Sequence, residues 1–468
     1  MPITLSQTSH LAAVATLYGL SPPSIATANV LELGCAAGGN IIPLAVRYPR
    51  ARFTGIDLAA SHIADGRRQI GALGLDNVTL HRGDLADILQ SREVFDYIVC
   101  HGVYSWVPPD TRMAILRICR ERLSPNGVAT ISYNVYPGWH LRDVIRDICL
   151  EHAGSGAAYR RVERARAALD GIAQSSSADG PYGALLHEEA KRLRRMPAAY
   201  ILGEFLAPHN APCRVRDFID LAGRQGLHYV GEADLAMPAA SAHAGQGRAA
   251  AEQHDDFITG RPFRRSVLVR RELAGQCLAA PDAERLALLH VCGTPARTNR
   301  ADGEPEDVAV VKVLERLSAA YPATIVPGAE PGVRPALLRL ATAGQLMLSV
   351  EPYRGNGIAD ARPLAWPVAR MEAASGQPWL TSLRHEAIPA HPLVRTLLPC
   401  LDGTHDLAAL REVLKAAMIA GTVRVPELAE GPPVAARGDL DSISNSYCVR
   451  ILRFLARKSL LEARGSRD

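Results

Sequence analysis

NVLELGCAAGGNIIPL, residues 29–44, is an apolar strand that runs into a turn of small residues and opens a helix. Val30, Leu31 and Leu33 make a run too short for a buried helix and suited to a strand covered on both faces. Small residues at 34, 36, 38 and 39 let the turn's backbone come close to a ligand, where a larger side chain would collide. Pro43 falls early in the following helix, where its missing N–H costs little.

Working outward, four more strands share this character: RFTGID (52–57), NVTLHR (77–82), FDYIVCH (95–101) and GVATISYN (127–134). Amphipathic stretches at 40–48, 61–74 and 109–123 separate them, and SPNG (124–127) reads as a turn before the fifth strand. Short apolar strands alternating with helices predict a doubly wound α/β sheet with helices on both faces. Residues 155–200, rich in Ala, Arg and Ser, read as helices without strands. A helix at 215–225 and strands at 226–234 and 263–273 then complete the sheet, one of them antiparallel. The expected organisation is a ligand-binding α/β domain built from 1–152 and 213–273, interrupted by a helical insertion, 153–212. A middle α+β domain (274–370) and a mostly helical, winged-helix-like domain (371–468) follow. Pro, Gly and charged residues mark 294–307 as a linker and 427–439 as a loop.

The balance of 52 basic and 48 acidic residues, net charge +4, argues against nucleic acid as the partner. RRVERAR (160–166) is a solvated helical face. Nine scattered cysteines, with no C-x-x-C pair and no Cys/His spacing suited to zinc, imply a reducing, cytoplasmic setting and no metal. MPITLSQTSH lacks the pattern of a signal peptide, and no apolar run approaches the ~20 residues of a membrane span.

The glycines alone do not choose a ligand, because Gly34 and Gly39 also fit a dinucleotide turn. Three acids decide. Glu32, two residues before Gly34, suits an ammonium group and would repel a pyrophosphate. Asp57 ends the second strand, where a carboxylate takes ribose hydroxyls. Asp84 follows the third strand, placed to accept from an adenine amino group, with the Leu85 N–H available to the ring. Each alone is as well explained as a helix cap or turn residue; together, in register, they predict S-adenosylmethionine (AdoMet). The expected cofactor contacts are Glu32, Gly34, Cys35, Ala36, Gly38, Asn40, Asp57, Leu58, Asp84, Leu85, His101 and Gly102, with Cys35 a small residue of no chemical role.

Chemistry in such sheets sits beyond the carboxyl ends of the strands. The loops HGVYSWVPPD (101–110) and YNVYPGWH (133–140) follow strands four and five and are rich in aromatic and hydrogen-bonding residues. Tyr104, His101 and Tyr133 are the candidates for carrying a proton, and Tyr104, Trp106, Asn134 and Trp139 for touching the acceptor, with packing the competing role for each.

With these loops in view the chain resembles the bacterial class I AdoMet-dependent methyltransferases that carry a C-terminal methyltransferase regulatory domain. FDYIVCHGVYSWVP (95–108) and GVATISYNVYPGWHLRDVIRD (127–147) carry the resemblance most specifically. EFLAPHNAPCRVRDFIDLAGRQGLHYVGEAD (204–234) and LRHEAIPAHPLVRTLLPCLDGTHDLAALREVL (383–414) extend it. The chain departs from that pattern in reading Gln-Thr-Ser-His at 7–10 for Gln-Thr-His-Pro, and Gly203-Glu204 for His-Glu. The resemblance implies a Rossmann-like fold and N-methylation of lysines in a protein, in the best-understood relatives an outer-membrane protein, here before export. It also implies a homodimer through 155–200. A small molecule or modified peptide as acceptor, with the C-terminal half a regulatory or partner-binding module, is the competing expectation.

Overall fold

The alternation of apolar runs and amphipathic stretches resolves into a seven-stranded sheet in the computed structural model, which describes residues 1–236, 247–293, 308–353, 360–423 and 437–463. Helix α1 (Thr8–Leu17) precedes β1 (Asn29–Leu33), α2 (Ile41–Arg47), β2 (Arg52–Asp57), α3 (Ala60–Leu73) and β3 (Val78–Arg82). Then come β4 (Phe95–Cys100), α4 (Pro109–Arg122) and β5 (Leu123–Asn134). Helices α5 (Gly138–Ala153), α6 (Ala158–Ser175), α7 (Pro181–Arg195) and α8 (Ala198–Glu204) leave the sheet. The chain returns through α9 (Val215–Arg224), β6 (Leu227–Glu232), α10 (Arg248–Thr259) and β7 (Phe263–Arg270).

The strand order is β3-β2-β1-β4-β5-β7-β6, with β1 to β5 parallel and β7 antiparallel to both its neighbours. The order turns back between β1 and β4, which opens a crevice beyond their carboxyl ends. Residues 124–127 correct the expected turn: β5 already begins at Leu123, opposite Phe95, and the register slips before Val128 meets Tyr97. Pro125 has no N–H for the ladder, so this stretch bulges out while Leu123 stays paired.

Alternation along each strand divides the core. Val30 and Tyr97 face a layer with α1 and α2, while Leu31, Leu33, Ile98 and Cys100 face α4 and α9. Every residue of α1 is buried, its polar Thr8, Ser9, His10 and Thr16 included. It lies between the sheet and the middle region: β8 (His290–Cys292), α11 (Val308–Ala320), α12 (Val333–Thr342) and β9 (Met347–Ser349). That region shares the sheet's core through Val291, Val313 and Leu337, where a separate domain was expected. The insertion has a core of its own around Leu169, Leu186 and Phe205. The C-terminal module comprises α13 (Pro367–Ala374), β10 (Trp379–Thr381), β11 (Ala387–Pro389), α14 (Pro392–Leu397), α15 (Leu407–Ile419) and α16 (Arg437–Arg457). Its core takes in Ala365 and Trp366, ahead of the expected boundary at 371. The expected linker 294–307 and residues 427–436 of the expected loop lie outside the described residues.

A buried ion network ties the late strands together. Arg264 on β7, fully out of water, donates to Asp256 and Glu252 of α10 and to Glu232 of β6 at 2.9–3.1 Å. Three carboxylates share this guanidinium, with Arg261 3.4 Å from Asp256 and Arg248 3.9 Å from Glu252 as more distant partners, so removing it leaves charge undercompensated in a dry interior. Arg264→Leu should therefore destabilise the protein by ~3–5 kcal/mol in urea unfolding. A loss below ~1 kcal/mol would show that the acids do not depend on it.

Candidate active site

The turn after β1 is tied to the neighbouring strand, because the N–H groups of Gly34 and Cys35 both donate to the Ile56 carbonyl, at 2.8 and 3.1 Å. Gly34 and Gly38 both have φ of +74°, which a side chain disfavours. A Cβ on Gly34 would also run into Val103, and one on Gly38 would lie 2.8 Å from Ile42. Backbone conformation and neighbouring side chains thus demand these glycines, in addition to any ligand. Ala36 is held at φ +47° by its N–H, which donates to Asp57 Oδ2 at 2.8 Å. Cys35 is buried, which pushes its thiol pKa up and leaves it inert.

Glu32 shares the inward face of Val30 and is 4% exposed. Its Oε1 accepts from Asn40 Nδ2 at 2.9 Å, while Oε2 is buried with no partner. Burial raises its pKa to about 7, against the lowering effect of the Asn40 hydrogen bond. A buried carboxylate oxygen with no donor fits a site that receives an ammonium group.

Asp57, at the end of β2, accepts from the N–H of Ala36 and of Ala59, both at 2.8 Å. Beside it Leu58 is 67% exposed, an apolar side chain on the rim of the crevice. Asp84 caps the short turn Leu85–Gln90, its Oδ1 accepting from the Ala86 N–H at 2.9 Å, and Leu85 is buried. The cap and the expected ligand role meet in one residue. Asp84 lies at the end of β3, next to Asp57, and the Gly83 N–H bonds to the Asp57 carbonyl.

Beyond β4, Gly102 has φ +69°, is exposed, and has open space where a Cβ would be. His101 lies 3.3 Å from Ser6 Oγ through Nδ1 and meets Phe263 edge to face. Burial, helped by Arg265, pulls its pKa down to about 3, so it is neutral and a poor proton acceptor at neutral pH.

The tyrosines are placed otherwise than expected. Tyr104 and Tyr133 are buried in the core under β4 and β5, around Phe218; Tyr133 stacks on that ring at 4.0 Å and its hydroxyl bonds Ser266. Burial pushes both phenol pKa values up, and neither ring is presented to the crevice. Trp139 is buried against the half-buried Trp106. Asn134 is buried too, its Nδ2 donating to Asn210 at 3.0 Å and so joining β5 to the end of the insertion. These residues support the crevice from behind; His101, Gly102 and Trp106 are the nearest to open space.

Residues that the local sequence did not single out also reach the site. Ser6 meets His101, and His385 of the C-terminal module bonds Asn40. No spacing rule links residues 345 positions apart.

Residues 30–127 match the family model of a methyltransferase domain, 197–270 a predicted methyltransferase regulatory domain, and 361–460 the C-terminal winged helix domain of PKMT. An uncharacterised protein of Rickettsia prowazekii (strain Madrid E) is 35% identical over 228 residues, 48% of this chain and 91% of that protein. The chain belongs to the class I AdoMet-dependent methyltransferases. A second uncharacterised protein of the same organism is 37% identical over 283 residues, 58% of this chain, which spans about half (51%) of that relative. Across 98% of both chains this methyltransferase has the fold of PKMT2 from Rickettsia typhi, solved in complex with AdoHcy, with a TM-score of 0.85 at 24% identity. AdoMet is its methyl donor, and S-adenosylhomocysteine (AdoHcy) the product that remains.

If Glu32 receives the cofactor's ammonium as expected, cofactor binding depends on pH. An ammonium beside it favours the carboxylate, so below the free protein's pKa of about 7 binding must expel a proton. AdoHcy affinity measured by calorimetry should be flat above about pH 8 and weaken by up to about tenfold per unit below 7. Glu32→Gln should remove the slope; a slope that survives it would assign the proton elsewhere.

Proposed function

We propose that this methyltransferase transfers the methyl group of AdoMet to lysine side chains of a protein. The observation that carries the reading is the match of residues 361–460 to the winged helix domain of PKMT, joined in one chain to a methyltransferase domain and its regulatory domain. The whole-chain likeness to PKMT2 supports the same architecture.

In this reading Glu32 receives the ammonium of the cofactor, Asp57 its ribose, and Asp84 with Leu85 its adenine edge. The exposed Leu58 covers the adenine face, and the turn from Gly34 to Asn40 lies along the methionine part. The cofactor supplies an electrophilic methyl carbon. A lysine arrives as an ammonium, so it would first have to lose a proton to water; the neutral amine would then form the N–C bond as the C–S bond breaks, leaving AdoHcy and a methylated ammonium. That displacement requires alignment and an amine already neutral, so a group as weakly basic as His101 can serve there by orienting the acceptor. His101, Gly102 and Trp106 form the acceptor side.

Cytoplasmic action on an outer-membrane protein before its export belongs to the same proposal, as does pairing of two copies through the insertion. The exposed Tyr159 and Tyr182 of α6 and α7 offer aromatic contact area for such pairing. Among the described residues no helix is long and apolar enough to cross a membrane.

Two measurements test this reading. Asp57→Ala should weaken AdoHcy binding by ~1–3 kcal/mol, the cost of unpairing hydrogen bonds to a ligand. Tritium from methyl-labelled AdoMet, offered to lysate fractions, should enter protein and return as methylated lysine after acid hydrolysis. Label confined to the small-molecule fraction would overturn the protein acceptor.

A further inference from the structure

The C-terminal module reaches into the cofactor end of the crevice. The loop between β10 and β11, Ser382–Glu386, lies against α2 and the first residues of the chain. Arg47 on α2 donates to the Leu383 carbonyl at 3.0 Å, and Thr4 Oγ1 to the His385 carbonyl at 2.9 Å. His385 has φ +61°, a left-handed backbone uncommon outside glycine, and is 3% exposed. Its Nε2 is 2.7 Å from Asn40 Oδ1. Such a conformation at a non-glycine residue persists where the surroundings hold it, and it clusters at functional sites.

The orientation of Asn40 follows from its partners. The Ile3 N–H lies 3.0 Å from the same side-chain atom, and an N–H can only donate, so that atom is the carbonyl oxygen. Nδ2 must then face Glu32 Oε1, at 2.9 Å. Burial pulls the His385 pKa down to about 3, so the ring is neutral and its Nε2–H is the donor. Two donors on Oδ1 prevent the amide from turning over. The amide therefore always occupies Oε1 of Glu32 and leaves Oε2 as the open acceptor.

We propose that His385 is a positioning residue for the cofactor, which it serves by fixing Asn40 and thereby presenting one free oxygen of Glu32 to the AdoMet ammonium. The winged-helix module is in this way part of the cofactor site, besides any role with the acceptor. The inference rests on the reading of Glu32 and Asp57 as cofactor ligands.

The test is AdoHcy calorimetry on the full chain. His385→Ala should weaken binding about tenfold, the effect of one hydrogen bond to a charged partner's neighbour. His385→Ala added to Asn40→Ala should cost at most about twofold more than Asn40→Ala alone, because His385 acts only through Asn40. His385→Gln, whose amide N–H can reach Asn40, should recover most of the affinity. Should the alanine variant fail to fold, His385→Asn tolerates the left-handed backbone but is too short for the bond, and it should show the same loss. Wild-type affinity in the alanine or asparagine variant, with Asp57→Ala still impaired, overturns the positioning role alone. Additive losses with Asn40→Ala, or no recovery with glutamine, would make His385 merely structural and overturn it equally. Full affinity in Asp57→Ala would overturn the reading of the site beneath it.

Discussion

The buried carboxylate of Glu32 is the constraint around which this site is organised. A two-residue period places it on the same side of β1 as Val30, in a layer otherwise filled by the apolar faces of α1 and α2. An acid in such a layer must find donors or be driven toward its protonated form. Burial raises the group's proton affinity, against the lowering effect of its one hydrogen bond, from Asn40. Asn40 in turn stands at the start of α2 because the turn before it folds through Gly34 and Gly38. The charge of the chain's own Met1 ammonium acts on Glu32 in the lowering direction and that of Asp57 in the raising one.

The same region explains why such distant segments meet. The first residues of the chain run past His101 and Asn40 before entering α1, and α1 is buried between the sheet and the middle region. Sheet and middle region share one core and cannot part without exposing it. The insertion is different: its helices close on their own core and touch the sheet mainly through α5 and the bond from Asn134 to Asn210. A unit so built can vary its outer surface with little effect on the cofactor site.

Much of this was legible from residue order. The first four parallel strands appear within a residue of their expected ends, because each is a short apolar run between amphipathic stretches. Asp57 and Asp84 were legible as strand-end acids, and they occupy neighbouring strand ends. The extra length of β5 was hidden because SPNG has turn chemistry yet bulges inside a ladder. Tyr133 was legible and misjudged. It follows Ala129 and Ile131 at intervals of two, so it shares their face, which is core. Tyr104 follows the strand, where no period operates. His385 could not have been found locally, since its partner lies 345 positions away.

The placement of the aromatic residues bears on how the acceptor is handled. With Tyr104 and Tyr133 turned into the core, their phenols are removed from proton transfer, and burial makes both harder to ionise still. His101 remains at the crevice but is too weak a base to deprotonate an ammonium at neutral pH. The acceptor end is therefore poor in groups that could remove a proton, whereas the cofactor end has a buried acid held in one orientation. A lysine acceptor, charged at neutral pH, would then have to give its proton to water before the displacement, which the protein serves by alignment. In the proposed reading, selection among acceptors falls on the shape between His101, Gly102 and Trp106.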